Sequence, residues 1–256
     1  MAAIVLRACI LAGCTLLAFA TAEDGHSDPI LTRVTENRAF SAGERLDFSV
    51  EYGPINAGNA LMEIKDELVT IDGYPCYHVI SQAWSNRLFS MFFLVNDRME
   101  SFIDVKGLFP RQFRTTIKEG KYETARVVHY DYERQLAITG GDTLEIPPFV
   151  QDVLSVLYYL RTQELWPGKT IAIDNHSGRR IYPLETRVLR EERVTVKAGT
   201  FDCYVVEPFP RGGAFRSKGS LVVWLTKDER KMPVLIKSKV FFGSVAVKLV
   251  SYRIAS

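Results

Sequence analysis

Little in this sequence is arranged for metal chemistry. Its four histidines, His26, His78, His129 and His176, share no ligand spacing, and neither His-x-x-x-His nor Cys-x-x-Cys occurs, so no metal is expected. Gly-x-Ser-x-Gly, Gly-x-x-x-x-Gly-Lys and Gly-x-Gly-x-x-Gly are missing too. Their absence removes the common serine-hydrolase, nucleotide and dinucleotide templates, so no cofactor is expected and no catalytic residue can be assigned. Charge is balanced, with 32 Lys and Arg against 30 Asp and Glu. Bulk electrostatics therefore implies neither nucleic acid nor an anionic membrane surface. The apolar run from Ala8 to Ala20 falls short of the roughly 18 to 20 residues of a membrane span, and no span is expected in the mature chain.

That run reads instead as the core of an export signal over residues 1–22. Arg7 precedes it and the small residues Ala20-Thr21-Ala22 close it before Glu23, the pattern of a cleaved leader. A second reading stays open, because Leu11-Ala12-Gly13-Cys14 resembles a lipobox, which would make Cys14 a lipidated N-terminus. Export to the periplasm is the first expectation and a lipid-anchored envelope lipoprotein the alternative. Of four cysteines, only Cys76 and Cys203 remain after cleavage past Ala22. In an oxidising compartment they are candidates for one disulfide, and two buried small side chains are the other reading.

What is present is a repeat. Gly43-Glu44-Arg45-Leu46-Asp47-Phe48 matches Gly168-Lys169-Thr170-Ile171-Ala172-Ile173, and Val69-Thr70-Ile71 matches Val194-Thr195-Val196, both at an offset of 125 residues. Cys76-Tyr77 matches Cys203-Tyr204 at 127, and Pro110 with Phe113 matches Pro233 with Ile236 at 123. Four matches in order point to a duplicated unit. The units are β-rich: Leu68–Ile71 and Cys76–Ile80 are β-branched and aromatic runs around Asp72-Gly73, a hairpin pair. Alternation over 126–136 and 244–254 adds strands with one buried face. Residues 23–40 are polar without period and are expected to be extended or mobile.

Between the units the pattern changes. Pro147-Pro148 can open a helix, and Phe149, Val150, Val153, Leu154, Leu157 and Leu160 recur at helical spacing, with Val156, Tyr158 and Tyr159 widening the stripe. A helix over 149–163, too apolar for a wet surface, belongs against a curved sheet. Asp152 and Arg161 fit as an N-terminal cap and a wet C-terminal turn. The expected fold is thus mainly β: a strongly curved antiparallel sheet, half-barrel or open barrel. Residues 41–140 and 167–256 form its two related β units, flanking the helix segment 141–166 in one domain spanning 41–256.

Polar candidates are few. Asp97, Arg98 and Glu100, with Arg114 on the next strand, form either a patch lining a cleft or a solvated sheet face with weak ion pairs. The glycine-rich basic segment 211–219 reads as a hairpin loop.

Ala42–Leu46, Asp72–Tyr77, Gln151–Arg161 and Ala198–Tyr204 together resemble the bacterial envelope family called domain of unknown function 3108, over about residues 40–253. The resemblance implies an exported protein and transfers no catalytic residue. At fold level the halves are similar to the half-barrels of periplasmic lipoprotein carriers of the LolA and LolB kind, which shelter acyl chains. Two functions follow. One is a non-enzymatic envelope protein carrying a lipid or amphipathic molecule in its concave face, lined by Leu154, Leu157, Tyr158, Trp84 and Trp224. The other is a scaffold of the cell envelope with a filled core and a protein partner. A hydrolase of unknown type ranks third.

Overall fold

The computed structural model describes residues 33–210, 221–239 and 243–254. Its first unit comprises β1 (Arg45–Tyr52), β2 (Ile55–Ile64), β3 (Val69–Ile71), β4 (Tyr74–Ser85), a short helix α1 (Arg87–Ser90), β5 (Asn96–Asp104), β6 (Pro110–Glu119) and β7 (Tyr122–Asp131). A small hairpin follows, β8 (Leu136–Thr139) with β9 (Asp142–Glu145), and then helix α2 (Ser155–Thr162). The second unit is β10 (Thr170–Ser177), β11 (Arg180–Val196), β12 (Gly199–Pro210), β13 (Leu221–Thr226), β14 (Pro233–Lys239) and β15 (Ser244–Arg253).

All fifteen strands join one antiparallel sheet that does not close, in the order β10-β11-β12-β13-β14-β15-β1-β2-β4-β5-β6-β7-β8-β9, with β3 paired to β4 off this path. The main strands of the two units follow one another in the same succession, and β1 and β10 start and stop 125 residues apart. Gly43 and Gly168 precede these two strands with φ of 87° and 90°, a conformation open to glycine without steric cost. The Asp72-Gly73 turn takes φ of 51° and 82° between the paired Ile71 and Tyr74, as a two-residue hairpin with right-handed strand twist requires.

Curvature comes from register shifts. Extra residues interrupt the pairing: Val250 of β15 and Ala57 of β2 opposite β1, Arg111 of β6 opposite β5, Leu189 of β11 opposite β12 and Val234 of β14 opposite β13. Each bulge bends its strand and raises the local twist, so the sheet wraps until its two ends, β9 and β10, approach. The ends do not pair with each other. Tyr130 Oη lies 3.0 Å from His176 Nδ1 across the gap, and Arg179 contacts the Asp142 carboxylate at 2.6 Å.

The central helix is shorter than the apolar spacing predicts, at 155–162 instead of 149–163. Phe149 sits at φ 59°, which breaks a right-handed helix. Gln151 adds itself to β10 instead: its N–H donates to Asp174 O and its carbonyl accepts from His176 N–H, both at 2.8 Å. Asp152 Oδ1 then accepts from the N–H groups of Leu154 and Ser155 at 2.7 Å, satisfying amides that a helix start leaves without partners.

The C-terminal turn is not wet. Arg161 is wholly buried and makes a bidentate pair with Glu44 at 2.7 Å through both nitrogens, and its Nη2 also donates to Ala39 O. Residues 33–40 carry no regular structure, yet they are held in place. Ala39 and Phe40 are buried, Phe40 packs edge-on against Tyr158 at 4.9 Å, and the Arg33 guanidinium covers Phe149 and Tyr159. Leader residues 1–22, including Cys14, lie outside the described residues, as does the loop 211–219.

Candidate functional site

Because consecutive paired strands run antiparallel, the turns after β1, β4, β6 and β10 leave from one end of the sheet. At this end the inner face encloses a cavity of about 180 Å³. Val50, Asn175, Tyr182, Pro208 and Leu221 line it, each within two residues of its strand's end there. Phe48, Met62, Met99, Val223, Ile236 and Val247 form its wall. Its floor is α2 and the residues just before it, Val153, Leu154, Val156, Leu157 and Leu160. No charged side chain lines it; Ser81, Asn175 and Thr186 supply the polar atoms beside Tyr182.

Of the five residues expected to line a concavity, Leu154 and Leu157 do so. Tyr158 turns to the opposite side of α2, where it is buried against Phe40 and Arg161. Trp224 follows the lining residue Val223, and alternation along the strand sends it to the other sheet face, beneath the Lys237 amine at 5.2 Å. Trp84 likewise has opposite parity to the lining Ser81 in β4 and is half-buried. The lining that sequence reasoning missed lies on both units, Phe48, Val50, Met62 and Met99 on the first and Tyr182, Leu184, Val206 and Pro208 on the second. Its signal was the alternation of their strands, which gives two faces without saying which one is inside.

A buried polar cluster lies beneath the cavity. Asp152, Ser155 and Asn175 are buried together, as is Ser101 of β5. Ser101 Oγ donates to Asp152 Oδ2 at 2.6 Å, and Asn175 Nδ2 donates to the carbonyls of Gln151 and Asp152 at 3.2 Å. Desolvation raises the Asp152 carboxyl to about 6 despite the donors around it. Burial lowers His176, on β10, to about 4, so its ring is neutral. Among the described residues no group of three or more His, Cys, Asp or Glu side chains could hold a metal ion.

The expected polar patch does not assemble as one surface. Asp97 is buried on the inner-face parity of β5 and accepts from Lys118 N–H at 3.0 Å, whereas Arg98 and Glu100 alternate to the outside. Outside, Arg98 and His78 both contact Glu100 Oε1, at 2.6 and 3.1 Å. Burial opposes the Glu100 charge, but those hydrogen bonds outweigh it and hold the carboxyl below its ordinary range. Arg114 faces Glu100 in register, yet its side chain bonds Gln112 and covers Phe102.

Cys76 and Cys203 are free and buried, not bridged. They occupy β4 and β12, six strand-to-strand steps apart in the sheet, or roughly 29 Å along it at ~4.8 Å per step, against the ~7 Å reach of a disulfide. Each thiol lies against the carbonyl two residues before it, Tyr74 and Phe201 respectively. Burial pushes both thiols up to about 12.

The profile of a family described as "Protein of unknown function (DUF3108)" matches residues 47–250. No curated protein matches the chain. Among solved structures, the chain is similar to a β-barrel-like protein of domain of unknown function DUF1849 from Brucella abortus. The TM-score is 0.57 at 12% identity, covering 85% of this chain and all of the other. A DUF1089 family protein from Pseudomonas aeruginosa is more remote, with TM-score 0.39 at 13% identity over 72% of this chain and 90% of that one. The first likeness supports a barrel-like fold and carries no function.

Proposed function

Since the chain belongs to the DUF3108 family of unknown function, kinship brings no activity, and we propose from the geometry that it is a non-enzymatic binding protein for a single acyl chain. The observation that carries this reading is an uncharged cavity, floored by α2 and walled by both β units. Ligand sites are concave, apolar and provided with a few polar groups that fix orientation, and Ser81, Asn175 and Thr186 fill that role here. At about 180 Å³ the space exceeds the ~150 Å³ apolar cavity that takes benzene and falls below the ~300 Å³ at which drug-sized sites begin. It suits part of one chain, with a polar head left toward the strand ends. No helix among the described residues is long and apolar enough to cross a membrane. The apolar leader supports export, so an amphipathic molecule of the envelope is the ligand class.

Organic extraction of the purified protein followed by mass spectrometry tests the reading. About one acyl-chain molecule per protein is expected. In Leu157→Trp, where the indole occupies the floor of the cavity, that molecule is expected to be lost while the far-ultraviolet dichroism stays the same. A clean extract from the parent, together with no uptake of a fluorescent fatty acid, would favour a filled envelope scaffold instead.

A further inference from the structure

We propose that the connection between β4 and β5 is a membrane-docking tip, and that its partner is the surface of an anionic lipid bilayer. In this connection Phe92 is 83% exposed, Met91 77% and Leu88 67%, and Ile55, the first residue of β2 after the neighbouring turn, is 56% exposed. Scattered exposed apolar residues are ordinary, whereas several large ones gathered on one projection mark an interaction site. From Asn86 to Val95 the chain carries one charge, Arg87, and Lys121 of the adjoining β6–β7 turn is exposed and also basic.

The tip is built, not loose. Asn86 Oδ1 accepts from Phe89 N–H at 2.8 Å, and Asn86 Nδ2 donates to Asn56 O at 2.7 Å, tying α1 to the start of β2. Ser85 and Ser90 hydroxyls meet at 2.6 Å, and Val95 N–H donates to Ser85 Oγ at 3.0 Å. The N–H groups of Phe92 and Phe93 both donate to Phe89 O, and Leu94 O accepts from Gly120 N–H. Much of the tip's backbone is thus hydrogen-bonded within the protein, which lowers the cost of placing it against hydrocarbon. Apolar side chains with flanking basic residues, on a small apolar area, are the makings of reversible interfacial binding.

Two observations favour a bilayer over a protein partner. Within the connection itself the one formal charge, Arg87, is positive and suits anionic headgroups, while in the adjoining turn Lys118 and Lys121 are offset by Glu119 and Glu123. It also shares the end of the sheet at which the cavity lies, so one surface would both hold the tip and supply an apolar ligand. The docking geometry itself does not depend on the cavity being occupied, and its test is independent of ligand extraction.

The chain from Glu23 onward, which contains every described residue, serves for the test. With vesicles of phosphatidylethanolamine and phosphatidylglycerol, co-sedimentation of the parent is expected, reduced about tenfold in the double variant Met91→Ser with Phe92→Ser. Thermal melting of that variant should match the parent, because the changed side chains are exposed. In Phe92→Trp, tryptophan emission should shift to the blue on adding vesicles and be quenched by brominated acyl chains. Unshifted emission, or equal sedimentation of parent and double variant, overturns the proposal. So does a parent that ignores vesicles and forms a dimer abolished by the double variant, which would identify the occupant as a second copy.

Discussion

Asp152 and His176 are two buried ionisable groups with opposite demands. Asp152 titrates near 6, above the ordinary carboxylate range, so ionising it inside the protein costs stability. Its favourable contribution is present at low pH and is lost as pH rises through about 6. His176 titrates near 4, below the ordinary imidazole value. Its contribution is present above about 6.5 and is lost as pH falls toward 4. Each shift corresponds to about 3 kcal/mol, and over pH 4 to 6 the two largely cancel. Urea unfolding across that range should expose them separately. In Asp152→Asn stability should fall more steeply on acidification than in the parent; in His176→Gln it should fall as pH rises.

At the scale of the element, α2 has eight residues and too little length to stand alone. Its two ends are fixed by groups distant in sequence: Ser101 and β10 at the start, and Glu44 with Ala39 at the finish. Breaking a buried ion pair by removing one partner strands the other charge, at about 3–5 kcal/mol. Arg161→Met should therefore lose that much in chemical denaturation, and adding Glu44→Gln should recover part of it. Additive losses would mean the pair is not coupled. Neither tie could be read in advance. Arg161 and Glu44 lie 117 residues apart, and the approach of β10 to Gln151 depends on the sheet wrapping round. The apolar spacing from Phe149 onward suited a helix, but an extended segment buried on both sides produces much the same run of residues.

At the scale of the whole molecule, more was legible. Alternation, the Asp72-Gly73 turn and the matched phrases gave the strands, the repeat spacing and the curved sheet, because hairpin register is a local property. Which face is concave is not local. It follows from where the bulges fall, so Trp84 and Trp224, expected to line it, lie away from the cavity. Separation of the Cys-Tyr strands makes a further prediction. Thiol labelling of the denatured chain from Glu23, without reductant, should find two free cysteines. Native labelling should be slow, since burial holds both thiols near 12, and reductant should leave the melting temperature unchanged. One absent thiol pair would refute the arrangement.

The unpaired ends of the sheet have a mechanical consequence. A barrel closed by hydrogen bonds all round has a fixed girth, but here the last gap is held by the Tyr130–His176 and Arg179–Asp142 contacts and by the lone backbone bridge from Gln151. Parting those fastenings lets the circumference expand without unzipping a single strand pair. The molecule has the build of a hoop with a clasp, and the clasp is the one place where its bore would widen with every strand pair kept.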